Sequence, residues 1–232
     1  DTPTSTPTQT PEPTAEPTPE PTPEPTPKHT PEPQPELTIQ NQSLSTADTP
    51  FHNAYAEATI ENVGSARCGT IELTARWFDD SGSFLGDATS FLPTLDADET
   101  WKARLGTSQE KEEIGDFELH GEYDVSPGNS LAGLTVADSS LNVENEYSGT
   151  ISSEIDNSRD ESVFMVSFSG VIYDDDGRVI GGRETRESDV SPGEDLFFDV
   201  SLSTTRTVHR ISKAEDHAVL VTESESAETR QF

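Results

Sequence analysis

The chain has 232 residues, of which 45 are acidic and only 14 basic, giving a formal net charge of -31. A surface of that sign excludes nucleic acid and anionic membrane faces as partners, because both require clustered Lys and Arg. No apolar run approaches the roughly 18 residues of a membrane-spanning helix, and the single cysteine, Cys68, cannot form an internal disulfide.

Residues 1–36 hold thirteen of the seventeen prolines and no aromatic or branched aliphatic side chain. Runs of Pro-Thr and Pro-Glu remove backbone donors and favour polyproline II, so this segment reads as a disordered, Pro/Thr/Glu-rich stalk. At about 3.1 Å per residue it reaches on the order of 110 Å. It carries seven acids and one lysine, which leaves -25 on the remaining residues. Only Lys28, Lys102, Lys111 and Lys213 are lysines. An acid-rich, lysine-poor surface strains a compact state at low ionic strength and is screened at molar salt, so the composition reads as adaptation to high salt, as in a halophilic archaeon, the alternative being an acidic secreted mesophile protein.

The expected strands begin at Leu37–Ile39 and Ala54–Ile60. In 69–78, Ile71, Leu73, Ala75 and Trp77 alternate with Thr70, Glu72, Thr74 and Arg76, the period of a half-buried strand. Asp79-Asp80-Ser81-Gly82 then reads as a hairpin turn, with Asp bonding its own backbone and Gly taking the left-handed position. A short return strand at Phe84-Leu85 leads through a polar loop to the turn Asp96-Ala97-Asp98 and the strand of Trp101, Ala103 and Leu105. Ser108–Ile114 suits one helical turn, and Phe117–Leu119 another strand. Ser126-Pro127-Gly128-Asn129-Ser130 reads as a turn-rich linker.

After the linker, strands are expected at Leu134–Val136 and Gly149–Ile155, and the earlier phrases return 95 residues on. Tyr173-Asp174-Asp175-Asp176-Gly177 repeats Phe78-Asp79-Asp80-Ser81-Gly82, and Ile155-Asp156-Asn157 repeats Ile60-Glu61-Asn62. Val166, Phe168, Gly170 and Ile172 are expected inward, with Met165, Ser167, Ser169 and Val171 outward. Val179-Ile180 is the return strand, Ser191-Pro192-Gly193 the second turn, and Leu196, Phe198, Val200 and Leu202 face in against Phe197, Asp199 and Ser201. Val219–Val221 closes the copy. A gapless repeat of this length means one folding unit present twice. Many short strands punctuated by turns make the fold class all-β, with two tandem antiparallel immunoglobulin-like β-sandwiches over 37–125 and 126–223 and a polar tail at 224–232.

An inward series ending in Phe/Tyr-Asp, a Gly, an aliphatic return and then Pro-Gly-Glu before another strand resembles the FxLyD domain family. The likeness is fullest in Phe168-Ser169-Gly170-Val171-Ile172-Tyr173-Asp174 and Ser191-Pro192-Gly193-Glu194, while Asp96-Ala97-Asp98-Glu99 lacks the Pro-Gly. That resemblance implies an immunoglobulin-like module of bacterial and archaeal surface proteins and lipoproteins, with no catalytic residues to carry over.

Asp79, Asp80, Asp174, Asp175 and Asp176 are candidate calcium ligands, since calcium takes six to eight hard oxygens. Their spacing lacks the alternation and distant bidentate Glu of a dedicated loop, and hairpin chemistry accounts for Asp-Asp-Gly. His52, His120, His209 and His217 are scattered singly, although His209 and His217 could face each other across a turn; zinc needs three or four converging ligands. No nucleophile elbow or other catalytic constellation is present, so neither an enzyme nor a cofactor is expected. Cys68 falls on Val163 in the repeat and reads as a small buried apolar position. Arg178, Arg183, Arg186, Arg206 and Arg210 gather in the second copy, as a docking patch for an anionic partner or as dispersed ion pairs. Asn41 opens a lone glycosylation sequon.

The expected protein is therefore a monomeric, non-enzymatic, extracellular surface protein, held by the stalk and a possible N-terminal lipid anchor. It would bind an unknown protein or glycan through sheet faces or the loops at 86–94 and 181–189. The alternative is an accessory module of an envelope transporter or hydrolase system.

Overall fold

The computed structural model describes residues 32–125, 132–223 and 229–232, and from Pro33 onward they form one compact unit. The expected stalk up to residue 31 and the linker lie outside the described residues. The expected stalk boundary at 36 is too late: Pro35 is buried, and the N–H groups of Val63 and Ser65 donate to Glu36 O and Gln34 O. The fold is all-β. Among the described residues there are thirteen strands: β1 (Leu37–Thr46), β2 (Ala54–Asn62), β3 (Ile71–Phe78), β4 (Phe84–Leu92), β5 (Thr100–Thr107), β6 (Asp116–Asp124), β7 (Leu134–Asn145), β8 (Ser148–Asn157), β9 (Val163–Tyr173), β10 (Val179–Val190), β11 (Leu196–Ser203), β12 (Asp216–Glu223) and β13 (Thr229–Gln231). The expected helical turn is a 3-10 turn at Lys111–Glu113, and two further turns, α1 (Thr204–Thr207) and a 3-10 turn at Ile211–Lys213, follow β11.

Three sheets result, with strand orders β1-β2-β5-β10-β9-β12, β13-β6-β3-β4 and β11-β8-β7. All pairings are antiparallel except one parallel bridge, Val179 with Trp101, where β10 meets β5. The order β1-β2-β5 recurs as β7-β8-β11, and β4-β3-β6 as β10-β9-β12. The sequence offset persists in the hydrogen bonds. The backbone N–H of Gly115 donates to Phe78 O, and that of Glu215 donates to Tyr173 O, both at 2.9 Å. Between those pairs the spacing lengthens from 95 to 100, because the segment containing α1 is inserted.

β3 keeps the predicted alternation: Ile71, Leu73, Ala75 and Trp77 are buried and Glu72 and Arg76 exposed. β9 departs from it. Ser167, Ser169 and Val171, expected to face outward, are buried as fully as Val166, Phe168 and Ile172. The reason is that Val171 and Val179 pack into the core formed by Ile71, Leu73, Trp77, Trp101 and Leu105, so β9 is covered on both faces. Two smaller clusters complete the interior, one around Phe168, Ile155 and Val221 and one around Ile151, Ile172 and Val200.

Two further expectations require correction. The segments 86–94 and 181–189, read as loops, are almost entirely strand, forming most of β4 and β10. Part of the polar tail is structured: β13 pairs antiparallel with β6, and Phe232 packs its ring at 5.9 Å from Tyr123. A Cβ on Gly121 would lie 2.2 Å from the Phe232 ring, so the bare glycine backbone is what lets the ring sit there.

Candidate functional site

The acidic turns are built from their own backbone. Asp79 Oδ1 accepts from the N–H groups of Ser81 and Ser83 at 2.8 Å each, and Asp174 Oδ1 accepts from those of Asp176 (3.1 Å) and Arg178 (2.9 Å). Gly82 and Gly177 take positive φ of 79° and 73° as the hairpin demands. The Ser81 hydroxyl, followed by the Ser83 amide, holds the Asp79 carboxyl below its usual range. At Asp174 burial pushes upward, but the Arg178 amide and guanidinium outweigh it and the carboxyl is again lowered. Asp174 also lies 3.9 Å from Lys102 Nζ and 3.1 Å from Arg178 Nη2, while Asp176 pairs with Arg178. Among the described residues, Asp174, Asp175 and Asp176 are the one group of three whose ligand atoms lie within 4.8 Å. Two of those three are exposed, and the third already has two cations as partners. Asp80 is exposed beside Gly115, and Asn41, exposed on β1 next to a bulge, accepts from the Thr59 hydroxyl at 3.0 Å.

The histidines take separate partners. His209 is buried with Nε2 2.7 Å from Lys102 O, His217 Nε2 lies 3.1 Å from Ser139 Oγ, and exposed His120 lies 3.7 Å from Glu118. Cys68 is fully buried with its thiol 3.5 Å from Leu95 O, and burial pushes its pKa up to about 12, so it carries no thiolate at neutral pH.

A concavity opens between β4 and β10, beside Pro93 and Gly182. Its volume is about 540 Å³, within the usual range for ligand sites. β4 is the free edge of its sheet, and β10 touches β5 only at Val179, so both walls are strand edges. The floor comes from the end of β11, from α1, and from Val208, which caps α1 in the left-handed region at φ 62°, a costly conformation for a β-branched residue. His52 closes one end over Gly106, and its pKa is lowered by burial.

Three of the five arginines singled out from sequence, Arg183, Arg186 and Arg206, line this cleft, with Glu184 as its one acid. The other two are elsewhere: Arg178 serves the Asp174 turn, and Arg210 pairs with Glu146 and donates to Asp48 O. Arg186 is itself bonded to Glu184 at 2.6 Å. Phe91 was not anticipated; its ring is 56% exposed at the cleft lip. The signal available for it was an aromatic outside the inward alternation of its strand.

No protein-family model matches the chain, and neither does any curated protein. Among solved structures, a glycosyl hydrolase family 2 member from Bacteroides cellulosilyticus overlaps 72% of this chain at 8% identity and a TM-score of 0.26. A calcium-binding mutant of Bacteroides uniformis beta-glucuronidase 2 overlaps 71% at 14% identity and 0.23, and the C-terminal globular domain of an oligosaccharyltransferase from Pyrococcus abyssi overlaps 84% at 9% identity and 0.20. The chain spans 28%, 23% and 49% of those proteins' lengths respectively. Superpositions this loose transfer neither topology nor activity.

Proposed function

We propose that the chain is a non-enzymatic, extracytoplasmic surface protein in which two FxLyD-type, immunoglobulin-like sandwiches present a ligand cleft. The first sandwich would be β1-β2-β5 against β4-β3-β6, and the second β7-β8-β11 against β10-β9-β12. The recurrence of this strand order supports that division, as do the matched turns at Asp79 and Asp174. The binding role rests on one observation: a chain of net charge -31 places three arginines and a single acid around one cleft.

The surface assignment is tested by fractionating native cells at their own salt. Recovery of the full-length protein with the envelope supports it, and recovery in the cytosol overturns it. A transporter subunit or hydrolase co-purifying at equal stoichiometry would replace the independent-binder reading with that of an accessory module.

A further inference from the structure

The cleft's charge balance is specific enough to name a ligand class. Of the ten arginines, Arg67, Arg104, Arg178, Arg186 and Arg210 each meet a carboxylate. Arg76 lies over the Phe84 ring, Arg159 donates to Ala132 O, and Arg230 donates to Gln34. That leaves Arg183 and Arg206. Neither meets a carboxylate among the described residues, and Arg183 has only Ser201 O at 3.5 Å, the limit of a hydrogen bond. Both line the same cleft. A guanidinium presents five donors in a fork that matches a carboxylate, so two unspent guanidiniums in one concavity of an otherwise acidic protein call for an acidic ligand.

The rest of the lining narrows the class. The Ser201 hydroxyl lines the cleft, and those of Thr89 and Thr205, each 2.8 Å from a neighbouring hydroxyl (Thr74 and Ser203), keep acceptor capacity for ligand hydroxyls. The exposed Phe91 face, beside Pro93, offers an apolar platform to C–H groups. An extended acidic peptide fits less well: Glu184, the one acid of the lining, stands between Arg183 and Arg186 along β10, which disfavours a run of adjacent carboxylates relative to carboxylates spaced by hydroxyl-bearing rings. A densely charged polyanion meets the repulsion of the whole chain. We infer that the cleft between β4 and β10 binds a short carboxylate-bearing oligosaccharide, of the uronic-acid type, with Arg183 and Arg206 on its carboxylates and Phe91 against a sugar face. This deepens the proposed binding role and rests on it.

The test is calorimetric titration of the full chain with trigalacturonate, with maltotriose, hexaglutamate and sodium sulfate as comparison probes. Saturable binding of trigalacturonate is expected, weakened about tenfold or more by Arg206→Ala, by Arg183→Gln and by Phe91→Ala, the scale of a lost charge-assisted contact. Phe197→Ala, on an exposed aromatic outside the cleft, should leave binding unchanged. Variants are compared at matched thermal midpoints, so a folding defect is not read as lost binding. The inference is overturned if trigalacturonate gives no saturable heat, if maltotriose binds as tightly, if hexaglutamate binds more tightly, or if sulfate competes at equal charge. Cell fractionation separates the two readings. Envelope recovery without uronate binding sinks only the ligand, and uronate binding by a cytosolic protein sinks only the surface role.

Discussion

At the scale of single residues, buried polar groups join parts of the fold. Asn62 and Asn157, 95 apart, each donate from Nδ2 to a backbone carbonyl beyond the next two strands (Leu95 O at 3.1 Å, Ser191 O at 2.8 Å) and accept an amide two residues on. His209 ties the second copy to the first through Lys102 O, and burial, with nearby Arg104, lowers its pKa to about 3. The unfolded imidazole therefore takes up a proton before the folded one does. His209 costs nothing above pH 6.5, and stability falls as pH drops from 6.5 towards 3, at a slope approaching about 1.4 kcal/mol per unit. His52, lowered by burial, acts in the same direction. Urea midpoints at about pH 7 and about pH 5, where most carboxylates stay ionised, should lie closer together in His209→Gln than in the parent. An unchanged separation would contradict this account.

At the scale of elements, legibility followed amphipathicity. β3, β5 and β11 alternate strictly and were placed from sequence, as were the hairpin turns, because Asp and Gly act locally. Gly193 of the second turn falls on Asp98 of the first, and both adopt positive φ (68° and 63°), so the geometry is kept where the Pro-Gly is missing. β4 and β10 were truncated to their first two residues. Their later stretches, such as Gly-Asp-Ala-Thr-Ser and Arg-Glu-Thr-Arg-Glu, line an open cleft or face solvent and so carry no apolar periodicity. The cleft was illegible for the same reason, although its arginines and both wall segments had been singled out separately. β13 was missed because three exposed polar residues carry no signal until β6 offers them an edge. Its anchor is testable. Gly121→Ala must displace the Phe232 ring, so it should cost about 1–2 kcal/mol, as should Phe232→Ala for a half-buried ring. The double variant should cost no more than either alone; full additivity would show that the two do not meet.

At the scale of the whole molecule, two physical facts compete. The halves share a core through Val171 and Val179 and are further joined by the Tyr173 hydroxyl donating to Glu99 at 2.9 Å and by Arg210 donating to Asp48 O. Against that cohesion stands the self-repulsion of -31 charges. Thermal scans should show one transition, since β10 belongs to the second copy yet fills the core of the first. Its midpoint should climb steeply from low to multimolar potassium chloride as the Debye length shrinks to about 3 Å. Two resolved transitions would contradict the shared core, and a salt-independent midpoint would contradict the screening argument.

The bond from Arg230 to the Gln34 side chain, 3.1 Å long, brings the two ends of the folded body to one corner. A splice of a few residues would close the body into a ring, and a new opening at the exposed Ser81-Gly82 hairpin would leave every sheet intact.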